Sequence, residues 1–185
     1  MLELLKADLE QAPIIKKGDY DYFVHPVTDG VPRMKPKVFK EIVDAMMLVA
    51  DLDVDLILAP EAMGIPYAVA ISERTGIPYG VVRKRQYGLP GEVIVEQKTG
   101  YSSGLMYIND VHKGERVLLV DDVISTGGTV RATIQAIRRT GANLRDVVIV
   151  LEKGSHRAEV EAETAIRIKT LVKVEVVDGH LVIKN

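Results

Sequence analysis

The residues with the clearest chemical content lie in the run Val117-Leu118-Leu119-Val120-Asp121-Asp122-Val123-Ile124-Ser125-Thr126-Gly127-Gly128-Thr129. Val117 to Val120 read as a buried strand, so Asp121 and Asp122 fall at its carboxyl end, where open parallel sheets hold their ligands. Ser125, Thr126 and Thr129 offer hydroxyls. Gly127 and Gly128 allow backbone N–H groups to converge on an anion at the start of a helix. One loop thus combines acceptors for sugar hydroxyls with a cradle for phosphate. The spacing suits a ribose 5-phosphate, with the two carboxylates on its 2- and 3-hydroxyls and the donors around its 5-phosphate. A dinucleotide fingerprint needs G-x-G-x-x-G directly after the strand and a Walker loop needs G-x-x-x-x-G-K-[ST]; the run contains neither.

The elements that must position this run alternate between apolar β-branched strands and segments with apolar residues three or four apart, a pattern that predicts a parallel sheet covered by helices. A helix is predicted from Pro36, with Val38, Phe39, Ile42, Val43, Met46 and Val49 on one face, followed by a strand over 55–59. Pro60 to Gly64 form a loop, Ile65 to Thr75 a helix ended by Gly76, and Pro78 to Val82 the next strand. From Arg83 to about Asn109 the pattern weakens, punctuated by Gly88, Pro90, Gly91, Gly100 and Gly104, as in an active-site lid. The strand over 116–120, a loop over 121–128 and a helix ended by Gly141 come next, then a strand over 147–151. The C-terminus reads as a hairpin around Asp178-Gly179.

Composition bounds the remaining possibilities. The chain has 185 residues, 24 Lys and Arg against 26 Asp and Glu, and no Cys. Absent cysteine excludes a disulfide scaffold, a Cys-ligated zinc site and a thiol nucleophile. The balanced charge argues against a general nucleic-acid binder. No run approaches the ~20 apolar residues of a membrane span, and the N-terminus lacks the basic and small-residue features of a signal peptide, so a cytoplasmic location is expected. His25, His112, His156 and His180 lack metal-site spacing.

The run over 117–129 resembles the phosphoribosyl-pyrophosphate (PRPP) motif of the type I phosphoribosyltransferases, and the likeness extends over about 55–157. It is closest to the adenine, xanthine and archaeal hypoxanthine branches. The resemblance implies an α/β fold with a parallel sheet flanked by helices and a small hood. One domain over 1–185 is expected, its core about 36–157 and its hood from about 1–35 and 158–185. By the same resemblance Asp121 and Asp122 hold the PRPP ribose and assist catalysis, while Ser125, Thr126, Gly127, Gly128 and Thr129 bind the 5-phosphate. Glu61, Ala62, Met63 and Gly64 look like the pyrophosphate-side loop, although the Arg that adenine enzymes usually carry there is missing. Arg83 and Lys84 match the family's V-R-K segment, whose cations meet pyrophosphate. The segment over 86–106 matches a mobile hood, with Glu96, Tyr101 and Ser102 as candidates within it. The family implies Mg2+ carried with PRPP, with or without direct ligation by Asp121 and Asp122, and a homodimer.

Base choice rests on Lys153. Its ammonium has donors only, which suits the O6 carbonyl of hypoxanthine, guanine or xanthine and not the amino group of adenine. Phe23 is expected either to stack on the base or to join the core. Ser125 stands where the mammalian-type 6-oxopurine enzymes carry an Asp that handles the purine N7 proton, so no general acid or base is assigned. The expected reaction forms IMP, and GMP, from PRPP. Adenine or xanthine as the base, or a PRPP-sensing regulator, are the competing readings.

Overall fold

Segments whose successive side chains face opposite sides build the centre of the molecule, and helices cover both faces. The computed structural model describes residues 2–18, 20–98 and 103–184. The chain opens with α1 (Glu3–Glu10), the hairpin of β1 (Ile14–Lys17) and β2 (Tyr20–Phe23), and the short α2 (Pro26–Asp29). It continues through α3 (Pro36–Val49), β3 (Leu56–Pro60), α4 (Ile65–Thr75) and β4 (Tyr79–Val82). A ribbon of β5 (Val93–Lys98) and β6 (Ser103–Ile108) precedes β7 (Arg116–Ile124), α5 (Gly128–Thr140) and β8 (Asn143–Lys153). The chain closes with α6 (Arg157–Thr164), β9 (Lys169–Val177) and β10 (His180–Lys184).

Six strands form the central sheet in the order β10-β9-β8-β7-β3-β4. All neighbours are parallel except β9 and β10, whose antiparallel pairing is the predicted Asp178-Gly179 hairpin. Period-two alternation divides the core between the faces. Ile57, Ala59, Leu118, Val120, Val148 and Val150 pack with α1, α3 and α4, whereas Leu56, Leu58, Val117, Leu119, Val147 and Ile149 pack with α5 and the β5–β6 ribbon. The C-terminal strands extend this sheet, which corrects the expectation that 158–185 belongs to a hood. The weakly patterned stretch over 83–109 is also more ordered than expected. Val95 and Met106 of the ribbon are buried against α5, and Arg83 exchanges backbone hydrogen bonds of 2.9 and 2.7 Å with Tyr107.

Two helix placements matter for the site. After β3 the chain turns toward β4 over one face through α4, and after β7 it turns toward β8 over the other face through α5. The strand order therefore switches direction between β3 and β7, and crevices that hold ligands open at such points beyond the strands' carboxyl ends. Pairing of β3 with β7 ends at Leu58 and Leu119, while β7 runs on beside β8 as far as Ile124. Asp121 and Asp122 consequently belong to the strand, not to the loop expected over 121–128.

Candidate functional site

The switch point brings the two predicted loops together. Asp121 and Asp122 are buried, at 4% and 9% exposure. The Asp122 N–H donates to Asp121 Oδ1 at 2.9 Å, which fixes the first carboxylate at the strand end. Burial pushes the Asp121 carboxyl up to about 6, against the opposing pull of hydrogen bonds from Asp122 and the charge of Lys84. Burial, with the neighbouring Asp121 charge second, holds Asp122 well above the usual carboxylate range. Two carboxylates in a desolvated crevice with little counter-charge are primed to take hydroxyl donors or a cation. Tyr67, buried beneath them on α4, has its phenol raised by burial and by both acids, so it remains a neutral neighbour.

Gly64 explains how the loop after β3 reaches this pair. A Cβ at that position would lie 3.0 Å from Asp121 Oδ1 and 3.2 Å from the Val120 carbonyl, so only glycine lets the two chains close up. The same loop carries Glu61, Ala62 and Met63. Ala62 is exposed and Met63 half-buried. Met63 reaches Gly30, where an added Cβ would stand 3.4 Å from its sulfur. The Glu61 carboxylate pairs with Arg83 Nη1 at 2.9 Å and accepts the Lys84 N–H at 2.6 Å. It thereby ties the β3 loop to the two cations at the end of β4. Arg83 Nε is buried and has no acceptor among the described residues, a donor available to an anion.

The run after β7 has the geometry of an anion cradle. Gly127, at φ 78°, is the residue before the first turn of α5 and has no side chain to occupy the helix's leading N–H groups. Ser125 is exposed, Thr126 and Thr129 are half-buried, and Gly127 and Gly128 are buried. Arg131, one turn into α5, donates from Nη1 to the Thr126 carbonyl at 2.7 Å and pairs with Glu163 of α6. This brace was not anticipated from the sequence, because the Arg faces the back of the loop and its partner lies on a separate helix.

At the next strand, Lys153 ends β8 one residue beyond the Ile124–Glu152 pair, at the same sheet edge as the cradle. Its ammonium lies 5.0 Å from the ring centres of both Tyr22 and Phe23. Phe23 is 2% exposed and joins the core, the second of its two expected placements. Tyr22, of the same Tyr20–Phe23 stretch that the family resemblance places by the base pocket, is the half-buried aromatic at this edge; its hydroxyl donates to Asp29 Oδ1 at 2.6 Å. Glu152 points away from the edge into ion pairs with Arg157 at 2.7 Å and Lys173 at 3.0 Å, which anchors the end of β8. Glu96 is exposed on β5, and the candidates Tyr101 and Ser102 lie outside the described residues.

Among the described residues no group of three or more His, Cys, Asp or Glu side chains could hold a metal ion by itself. Among the same residues no helix is long and apolar enough to cross a membrane. The arrangement instead offers paired carboxylates beside a helix N-terminus, with cations and a lysine at the same edge. A sugar bearing phosphate groups matches that set.

Comparison with known proteins gives this geometry a family. A family model described as a phosphoribosyl transferase domain matches residues 37–182. A hypoxanthine/guanine phosphoribosyltransferase from Methanothermococcus okinawensis is 50% identical over 182 residues, covering 98% of this chain and 100% of that relative. One of the same name from Methanobacterium paludis is 51% identical, covering 100% of this chain and 97% of its own. The crystal structure of adenine phosphoribosyltransferase from Thermoanaerobacter pseudethanolicus superposes with a TM-score of 0.75 at 24% identity, covering 94% of this chain and 99% of that one, a likeness of fold. A parallel sheet with buried acids at its switch point, a glycine-capped helix beside them, and half-identity along the whole length place this chain in the phosphoribosyltransferase family.

Proposed function

We propose that this chain transfers the 5-phosphoribosyl group of PRPP to N9 of hypoxanthine, and of guanine, releasing pyrophosphate. The observation that carries this reading is the meeting of Asp121 and Asp122 with the glycine-capped start of α5 at the switch point, in a chain half-identical to relatives named for these two bases. The purine nitrogen attacks C1 of the ribose, the C1–O bond to pyrophosphate breaks, and the oxygen leaves with the bonding electrons. Positive charge develops on the sugar ring, so the site must fix geometry and stabilise charge and needs no protein nucleophile.

Each group has a part. Asp121 and Asp122 accept the ribose hydroxyls and face the developing ring cation, while Ser125 to Thr129 hold the 5-phosphate. Arg83 and Lys84 meet the pyrophosphate, with Glu61 holding Arg83 in place instead of touching the anion. The hard, cation-poor oxygen pair of Asp121 and Asp122 suits Mg2+ entering with PRPP. When bound, that ion neutralises the pyrophosphate leaving group. We read the whole of 1–185 as one domain, its β5–β6 ribbon forming a hood beside the cradle. A homodimer in the cytoplasm completes the reading, the self-association supported by the exposed Tyr79, Tyr87 and Leu89.

Pyrophosphate release from PRPP and Mg2+, compared for hypoxanthine, guanine, xanthine and adenine, tests the proposal. Turnover with hypoxanthine and guanine is expected. Preference for adenine or xanthine overturns the base assignment, and absence of turnover with any base overturns the enzyme. Lys153 is the residue to vary for base choice. Truncating it to Ala removes the donor for a purine O6 and is expected to reduce the kcat/KM preference for hypoxanthine over adenine by about a hundredfold. An unchanged ratio between the two bases removes Lys153 from the pocket.

A further inference from the structure

Gln97 of the β5–β6 ribbon touches the phosphate cradle. Gln97 Nε2 donates to Thr129 Oγ1 at 2.5 Å, and both residues are half-buried. The contact joins the apolar packing of Val95 in laying β5 along α5. At the far end of the helix, Arg139 Nη1 donates to the Ile94 carbonyl at 2.9 Å. Backbone pairing of Gln97 with Gly104 orients the side chain independently of this contact.

We propose that Gln97 is a positioning residue for the 5-phosphate, acting through the Thr129 hydroxyl and linking the seating of the ribbon to occupancy of the cradle. This rests on the phosphoribosyltransferase reading above. A hydroxyl that accepts a hydrogen bond from an amide keeps its own proton to donate. Thr129 is in the first turn of α5, where the helix N–H groups already face an anion. The chain amide N–H to hydroxyl to phosphate oxygen is polarised in one direction, so each bond strengthens the next. Gln97 is therefore not merely compatible with an occupied cradle; it selects the hydroxyl rotamer that an anion requires.

The proposal is directional, which makes it testable with isosteric changes. Gln97→Ala removes the donor. Gln97→Glu keeps shape but offers only acceptors, so the Thr129 hydroxyl donates to it and not to phosphate, and a negative charge is added beside the cradle. Steady-state kinetics of the full chain would be measured for both variants, for Thr129→Val and for Gln97→Ala combined with Thr129→Val. Titration calorimetry with ribose 5-phosphate would be run on the same set. Expected are rises in KM for PRPP of about fivefold for Gln97→Ala and about thirtyfold for Gln97→Glu, with KM for hypoxanthine unchanged and ribose 5-phosphate weakened in parallel. In the Thr129→Val background, Gln97→Ala should add nothing, because both remove the same link. A Gln97→Ala variant within twofold of wild type for PRPP and ribose 5-phosphate overturns the proposal, as do effects of the two substitutions that multiply. If wild type binds ribose 5-phosphate in a Gln97-dependent way yet turns over no base, the enzyme reading falls and this one stands.

Discussion

Replacing Asp121 and Asp122 together by Asn is expected to lower kcat by at least about a thousandfold while the protein folds as stably as wild type, or more so, at pH 7. The two halves of that expectation share one cause. Asn occupies the same volume and can still accept a hydrogen bond, but it carries no charge. The ribose loses charge-assisted contacts to its hydroxyls, and the cation developing at C1 loses its facing anions. The fold loses a burden. An Asp titrates near 3.8 when solvated, and burial raises Asp121 to about 6. Between those values the native state holds a proton that the unfolded chain has released, so stability falls as pH rises through that window and stays lower above it. For Asp121 that loss is complete once the pH has passed about 6. The Asn pair does not titrate, so its stability relative to wild type should improve steadily from pH 4 to 7. Denaturant unfolding of both proteins at pH 4, 5.5 and 7 measures this. A constant gap would show that burial of the acids costs the fold nothing, and wild-type kcat would remove the pair from the reaction.

The same window governs the wild-type enzyme. PRPP needs ionised oxygens at this position, and the free protein ionises Asp121 only as pH rises past about 6. The value of kcat/KM for PRPP should therefore climb through that pH.

How far the sequence discloses such a site depends on whether its parts are local. The run from Asp121 to Thr129 is local: strand, acids, glycines and helix follow one another, and their order alone carries the chemistry. Helices α3, α4 and α5 are likewise legible from apolar spacing and terminal glycines, and the Asp-Gly turn announces the C-terminal hairpin. The ribbon is different. Its alternation of buried Val95 with exposed Ile94 and Glu96 is short and set among glycines, and what holds it is distant: the face of α5, the Arg83–Tyr107 bridge and the Gln97–Thr129 contact across 32 residues. Glu61 shows the same limit. Its place in the β3 loop is readable, but its hold on Arg83 appears only when β3 and β4 pair. β7 runs past the strand expected over 116–120 because β8, not β3, supplies its last partners.

Gly127→Ala should have the second largest effect, and by a different route. The residue has φ 78°, a conformation that costs an alanine about 1 kcal/mol. The new Cβ would also lie 2.3 Å from Val160 Cγ2 and 2.9 Å from Arg131 Nη1. Val160 is fully buried on α6, and Arg131 is the brace on the Thr126 carbonyl, so neither can yield without moving the cradle. Either α6 shifts outward or the first turn of α5 unwinds. The expected loss is about 3 kcal/mol of stability, with KM for PRPP raised at least about tenfold. Gly141→Ala provides the comparison. It has the same left-handed backbone, at φ 80°, but it lies at the other end of α5 and its nearest neighbour is the flexible Lys113 side chain. That variant should lose about 1 kcal/mol and keep its KM. Trimming Val160 to Ala in the Gly127→Ala protein should recover part of both losses, because it removes the clashing methyl. Thermal unfolding and PRPP kinetics on the three variants decide the matter: equal behaviour of Gly127→Ala and Gly141→Ala would mean that backbone conformation alone is at stake, and that packing of α6 against the loop does not shape the phosphate site.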